Sequence, residues 1–150
     1  MIKSGLIGCL LYCSTTVWAQ VNWMNFEQLD SALTKAPKPT VVFLEAEWCA
    51  YCKKMQKEAF TYTAIQQLLN DKFYAVKLDI ENPNPCVFDG KVFNGASNKG
   101  FHEMAYLFAE EGEEPVTPTL AILDMEFKFL TIKRNYLSRK ELLNLLRKAH

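Results

Sequence analysis

Thr40-Val-Val-Phe-Leu-Glu-Ala46, followed at once by Glu47-Trp48-Cys49-Ala50-Tyr51-Cys52-Lys53, is the stretch on which the reading of this chain turns. Its first part is a run of β-branched, aromatic and aliphatic residues, as long as a strand buried on both faces of a sheet. Lys53 to Glu58 is helix-prone, so the two cysteines fall where a buried strand hands over to a helix. At such a junction the unpaired N–H groups and the helix dipole stabilise a thiolate on Cys49. Cys52, one turn further in, is placed to attack a mixed disulfide formed at Cys49 and to release the reduced partner. Cys49 is therefore expected to be the exposed nucleophile and Cys52 the shielded one. The same spacing also serves as half of a structural zinc site, for which Cys86 and His102 supply the remaining residue types. A zinc knuckle holds its first pair in a tight turn, whereas here a strand leads in and a helix leads out.

Working outward, Asn25 and Gln28 have the spacing of a capping box, and Phe26, Leu29 and Leu33 recur at helical intervals until Pro37. Downstream, a second helix-prone stretch from Thr63 to Asn70 follows a break around Phe60-Thr61-Tyr62. Phe73 to Ile80 then predicts a strand parallel to the first, ended by Asn82-Pro83-Asn84-Pro85. Val87 to Phe93 carries Asp89-Gly90 between apolar pairs, a hairpin signal, while Asn94 to Gly100 is loop-like and Phe101 to Glu110 reads as helix. Thr119 to Leu123 and Phe127 to Lys133 read as strands joined by a turn at Asp124-Met125-Glu126. A helix from Arg139 to Ala149 closes the series, opened by a Ser138/Glu141 capping box with Leu137 and Leu142 as its hydrophobic staple. The order is α, β, α, β, hairpin, α, β, β, α, without internal repeats. It predicts an α/β fold with a mixed central sheet and helices on both faces.

With 150 residues, 49% of them hydrophobic, the chain suits one domain around one core. Positive and negative side chains balance at 17 each, and neither a basic run nor a phosphate-cradling glycine motif is present, so nucleic acid is not an expected partner. Residues 1–19 differ from the rest: Lys3 is their only charge, Gly5 to Tyr12 is apolar, and Val17-Trp18-Ala19 offers a small-residue cleavage site. They read as a signal peptide removed after Ala19, leaving residues 20–150 as the domain in the periplasm or outside the cell. The apolar run is shorter than the roughly 20 residues a spanning helix needs. Leu6-Ile7-Gly8-Cys9 offers the alternative of a lipoprotein anchored at Cys9. Cleavage discards Cys9 and Cys13 and leaves Cys49, Cys52 and Cys86, an odd number unlike the even set of a disulfide-stapled domain.

From about Phe26 to Lys148 the chain resembles the thioredoxin superfamily. The resemblance is carried by Ala46-Glu47-Trp48-Cys49 with Cys52-Lys53, by Val76-Lys77-Leu78-Asp79-Ile80-Glu81-Asn82-Pro83, and by Val116-Thr117-Pro118-Thr119 opening a strand. Glu47-Trp48-Cys49 with Lys53 and Phe60 is similar to secreted thioredoxin-like proteins and to the C-terminal domain of inner-membrane thiol:disulfide interchange proteins. The resemblance implies the thioredoxin fold, with a redox-active Cys49–Cys52 disulfide and no other cofactor. Protein thiols and disulfides become the expected partners, and a membrane thiol:disulfide interchange protein becomes a candidate electron donor. It further implies that Pro118 is a cis-proline facing the site and that Thr117 offers backbone hydrogen bonds to an extended substrate. Trp48 and Tyr51 would flank the thiols as an apolar contact surface, or else serve packing.

Two departures from the family pattern matter. Many thioredoxins place a buried acid six residues before the first cysteine, where this chain has Phe43. Glu45, on the same side of the strand, is the candidate replacement as proton relay, the alternative being a partly solvated strand-end glutamate. The segment from about Pro85 to Lys99 is longer than in compact thioredoxins. The expected function is extracytoplasmic thiol–disulfide exchange, as a reductase, because Ala50-Tyr51 lacks the histidine that strongly oxidising relatives carry between their cysteines. A disulfide isomerase or oxidase is the alternative, since Tyr at the second spacer position and Thr before the proline occur in isomerases. Those isomerases dimerise through an added domain for which this chain has no room, so a monomer is expected. A thiol-based metal-binding module is the alternative from another class. Cys86 reads as a lone loop thiol, His102 as a surface residue on a helix, and Glu110 to Glu114 as a solvated acidic loop.

Overall fold

The computed structural model describes residues 20–98 and 100–150; the signal-peptide and lipoprotein readings, with Cys9 and the cleavage at Ala19, lie outside the described residues. The elements are β1 (Trp23–Met24), α1 (Phe26–Lys35), β2 (Thr40–Glu45), α2 (Ala50–Glu58), α3 (Thr63–Lys72) and β3 (Tyr74–Asp79), then β4 (Cys86–Phe88), β5 (Lys91–Phe93), α4 (Glu103–Tyr106), β6 (Thr119–Leu123), β7 (Phe129–Lys133) and α5 (Arg139–Lys148). Five strands form one sheet in the order β1-β3-β2-β6-β7, with β4 and β5 as a separate hairpin. β3 runs parallel to both β1 and β2, whereas β6 is antiparallel to β2 and β7 to β6. The chain crosses from β1 to β2 in one direction and from β2 back to β3 in the other. Right-handed crossovers in opposite directions put α1 on one face of the sheet and α2 with α3 on the other.

β2 is the centre of the molecule, with Val41, Val42, Phe43 and Leu44 all fully buried. On the α2 side, Phe43 and Trp23 both meet the edge of the Phe60 ring at 5.0 Å. On the α1 side, Phe26 contacts Phe88 at 5.6 Å and Phe108 at 6.4 Å, which joins the hairpin and the segment after α4 to that layer. The capping boxes at Asn25/Gln28 and Ser138/Glu141 are both formed. Asp89 (φ 50°) and Gly90 (φ 70°) make the left-handed pair that a two-residue hairpin turn requires. Gly95 is needed for a different reason: a Cβ there would collide with the Pro83 carbonyl, against which the loop after the hairpin closes.

The structure differs from the sequence expectations in four elements. The helix expected over Phe101–Glu110 is only four residues long. After it the chain tightens to three-residue steps, with Leu107, Phe108 and Ala109 N–H groups donating to the Met104, Ala105 and Tyr106 carbonyls. Arg134 then takes the Phe108 and Ala109 carbonyls, which stops continuation as an α-helix. β7 begins at Phe129 rather than Phe127, because Phe127 has φ 62° in a turn held by the Asp124 carboxylate, which accepts from the Glu126 and Lys128 N–H groups. α2 starts earlier than expected, at Ala50, for Cys49 itself is its N-cap. The edge strand β1 has two residues, too few to show an alternating pattern.

Candidate active site

The redox pair is built by the turn from β2 into α2. The Cys49 N–H donates to the Ala46 carbonyl at 3.1 Å, which bends the chain sharply as the strand ends. Cys49 then caps the helix, its Sγ accepting from the Cys52 N–H at 3.1 Å. A sulfur takes the place usually filled by a capping oxygen, so one of the donors that the first helical turn leaves unpaired, the Cys52 N–H, is directed at it. Cys49 and Cys52 form a disulfide, with Cα atoms 5.2 Å apart. The contrast expected between an exposed and a shielded sulfur is small in this oxidised form: Cys49 is 4% exposed and Cys52 1%. Trp48 and Tyr51, each 61% exposed, instead supply the accessible surface beside the pair.

The strand register brings in the proline loop. β2 and β6 pair Leu44 with Thr119, so by continuation Thr117 and Pro118 lie beside Glu45 and Ala46, at the turn that holds Cys49. The Thr117–Pro118 peptide is cis, and the Thr117 Oγ1 is buried without a hydrogen-bond partner. Val116, next in the loop, is exposed.

Glu45 closes β2 on the same face as Phe43. Its side chain, 16% exposed, pairs with Lys77 of β3 at 3.2 Å. Its other oxygen accepts from the Gln56 side-chain amide. Gln56 stands one helical turn after Cys52, so this bond ties the carboxylate to the face of α2 that carries the second cysteine. Phe43 cannot supply an acid, and its ring completes the aromatic contact with Trp23 and Phe60. Gln56 and Lys77 were not singled out in the sequence, though the four-residue spacing from Cys52 is a signal for Gln56. Tyr136, whose ring meets Tyr51 at 5.7 Å, left no signal, because the contact joins segments far apart in the chain.

Cys86 and His102 are elsewhere. Cys86 is not in a loop but in β4, and burial, with a smaller contribution from Glu27, pushes its thiol up to about 11. A thiol held protonated is a poor ligand and a poor nucleophile. His102 is not at the surface: it is fully buried and caps α4, its Nδ1 accepting from the Met104 N–H at 3.1 Å. That leaves Nε2 to donate to the Asn84 carbonyl at 3.1 Å, while burial holds the ring's pKa below its usual value. Both nitrogens thus fasten the hairpin base to α4. No group of three or more His, Cys, Asp or Glu side chains able to hold a metal occurs among the described residues. None of the described helices is long and apolar enough to cross a membrane.

A family model described as a thioredoxin-like domain matches residues 26–150. A thiol:disulfide interchange protein, DsbD, of Campylobacter jejuni is 30% identical over 96 residues, 63% of this chain and 16% of that protein. Among solved structures, the C-terminal domain of Neisseria meningitidis DsbD in its oxidised form superposes with a TM-score of 0.56 at 17% identity, covering 83% of this chain and 91% of that one. A thioredoxin from Thermus thermophilus gives a TM-score of 0.60 at 20% identity, covering 86% of each chain.

Proposed function

The chain belongs to the thioredoxin-like domain family and carries a redox Cys49–Cys52 pair as its thiol–disulfide oxidoreductases do; on that premise we propose that it works outside the cytoplasm as a reductant of protein disulfides. The observation that carries this reading is the place of Cys49 at the cap of α2, where the Cys52 N–H donates to its sulfur. Reduced Cys49, as thiolate, attacks one sulfur of a partner disulfide; that bond breaks, a Cys49–partner disulfide forms, and the partner's other sulfur leaves as a thiolate that takes a proton from water. Cys52 then gives up its proton and attacks the Cys49 sulfur. The Cys49–Cys52 bond forms, the partner's second thiolate leaves, and two electrons have passed to the partner. A dithiol donor restores the reduced pair; the likeness to interchange proteins supports a membrane protein of that kind in this role. Trp48 and Tyr51 form the exposed contact surface for the partner's chain, with half-buried Thr117 offering its backbone to it in front of buried Pro118.

Reduced protein should reduce the disulfides of insulin in the presence of dithiothreitol, with turbidity of the freed B chain as the readout. A rate no greater than dithiothreitol alone gives would sink the reading. Equilibration of the pair against glutathione gives the direction, and a potential near the oxidising end of the family's range, about −120 mV, would turn the proposal from reductase to oxidase.

Glu45 is the proton acceptor for Cys52 in this scheme. Glu45→Gln keeps the shape and the Gln56 and Lys77 neighbours but removes the base, so resolution of the mixed disulfide should slow on the order of 10²-fold. Alkylation of reduced Cys49 in the same variant should stay near the wild-type rate. Stopped-flow separation of the two steps checks this, and an unchanged resolution rate would return Glu45 to a structural ion pair with Lys77.

A further inference from the structure

Side-chain contacts continue from the redox pair into a second cleft that the exchange chemistry does not use. Tyr51, between the two cysteines, meets Tyr136 at 5.7 Å, and the Lys54 ammonium lies 5.0 Å over the Tyr136 ring. The Tyr136 hydroxyl donates to the Glu58 carboxylate at 3.2 Å. Arg139, the first residue of α5, donates through Nε to the Glu58 carbonyl at 3.0 Å and lays its guanidinium 4.8 Å over the ring of Tyr62. Glu58, Tyr62, Tyr136 and Arg139, with Lys140 and Leu143, line a cleft of about 430 Å³ between the end of α2 and the start of α5. Arg139 and Lys140 line the cleft and Lys54 borders it over Tyr136, while the two carboxylates beside it are already hydrogen-bonded, Glu58 by the Tyr136 hydroxyl and Glu141 by Ser138. Exposed tyrosine and arginine are the side chains that most often carry binding energy at protein interfaces.

Resting on the exchange function proposed above, we propose that the cleft between α2 and α5 docks an acidic segment of the redox partner, next to the partner's reactive cysteine. The aromatic rings hold the segment's backbone and stems, while Lys54, Arg139 and Lys140 take its carboxylates.

The test uses reduced protein and disulfide-bridged synthetic peptides identical except for a tetraglutamate, tetraserine or tetralysine run beside the cysteine, with bis(2-hydroxyethyl) disulfide as a neutral control. At low ionic strength the acidic peptide should be reduced about tenfold faster than the serine peptide, and the basic one more slowly still. In the Lys54→Gln/Lys140→Gln variant that advantage should fall to within about twofold, as it should in high salt, with the neutral control unchanged. Arg139→Gln should act the same way; because Arg139 also holds Glu58, the lysine variant decides if this one folds poorly. Equal rates for the three peptides, or a preference that survives the lysine substitutions, would overturn the proposal. Docking is read separately, by amide chemical-shift changes at Tyr136 and Arg139 on adding the acidic peptide with serine in place of cysteine. Failure to reduce the neutral disulfide therefore counts against the exchange reading, and missing shifts count against the cleft.

Discussion

Cys52→Ser should turn the protein into a trap that accumulates mixed disulfides on Cys49, whereas Cys49→Ser should lose exchange by on the order of 10³-fold or more and trap almost nothing. The division of labour follows from where each sulfur sits. Cys49 caps α2 and accepts from the helix backbone, so its thiolate is the one the fold stabilises. Cys52 lies a turn inside the helix, its own N–H given to the Cys49 sulfur, and finds an electrophile only when a disulfide has formed on its neighbour. Without Cys52 attack still occurs and resolution does not; without Cys49 the first bond is never made. Cys86→Ser should leave exchange intact, because its thiol, raised to about 11, is almost wholly protonated near neutral pH. Non-reducing gels with mass spectrometry of the three variants measure all of this. Adducts on Cys49→Ser and none on Cys52→Ser would reverse the assignment.

Phe43→Ala should cost about 3–5 kcal/mol of stability, the range for deleting a fully buried aromatic side chain. Phe43 is 0% exposed on the central strand, and both Trp23 and Phe60 pack against its ring, so neighbours that would have to collapse into the cavity are themselves fixed by β1 and the end of α2. Phe43→Asp, which restores the acid found here in many thioredoxins, should cost more, since a carboxylate would replace the ring among apolar partners without a charge to pair with. Lys77, the neighbouring cation, is already engaged by Glu45. Urea unfolding of the oxidised proteins reads the loss as a fall in midpoint at unchanged slope. A loss under about 1 kcal/mol for Phe43→Ala would show that the aromatic contact is not what the core rests on.

Much of this was legible along the chain because it depends on neighbours in sequence. Strand, turn and helix around the two cysteines are set by β-branched residues, the cap position and a helical run, all between Thr40 and Glu58. The capping boxes and the Asp89-Gly90 turn are equally local, since each needs only a side chain and a backbone group three residues away or two adjacent left-handed residues. Local pattern misled where a distant group intervened: Arg134 ended the helix after Tyr106, and Asn84 drew His102 into the interior. The sequence by itself determined the α/β class, the order of elements and the chemistry of the Cys49–Cys52 pair. Only the tertiary structure decided that Glu45 would be tied to Gln56 and Lys77, that Phe43 would join Trp23 and Phe60, and that Tyr51 would open onto Tyr136 and Arg139. Those contacts join residues brought together by crossovers between parallel strands and by a helix that returns at the end of the chain, and no spacing along the chain encodes a distance that the packing of the sheet alone creates.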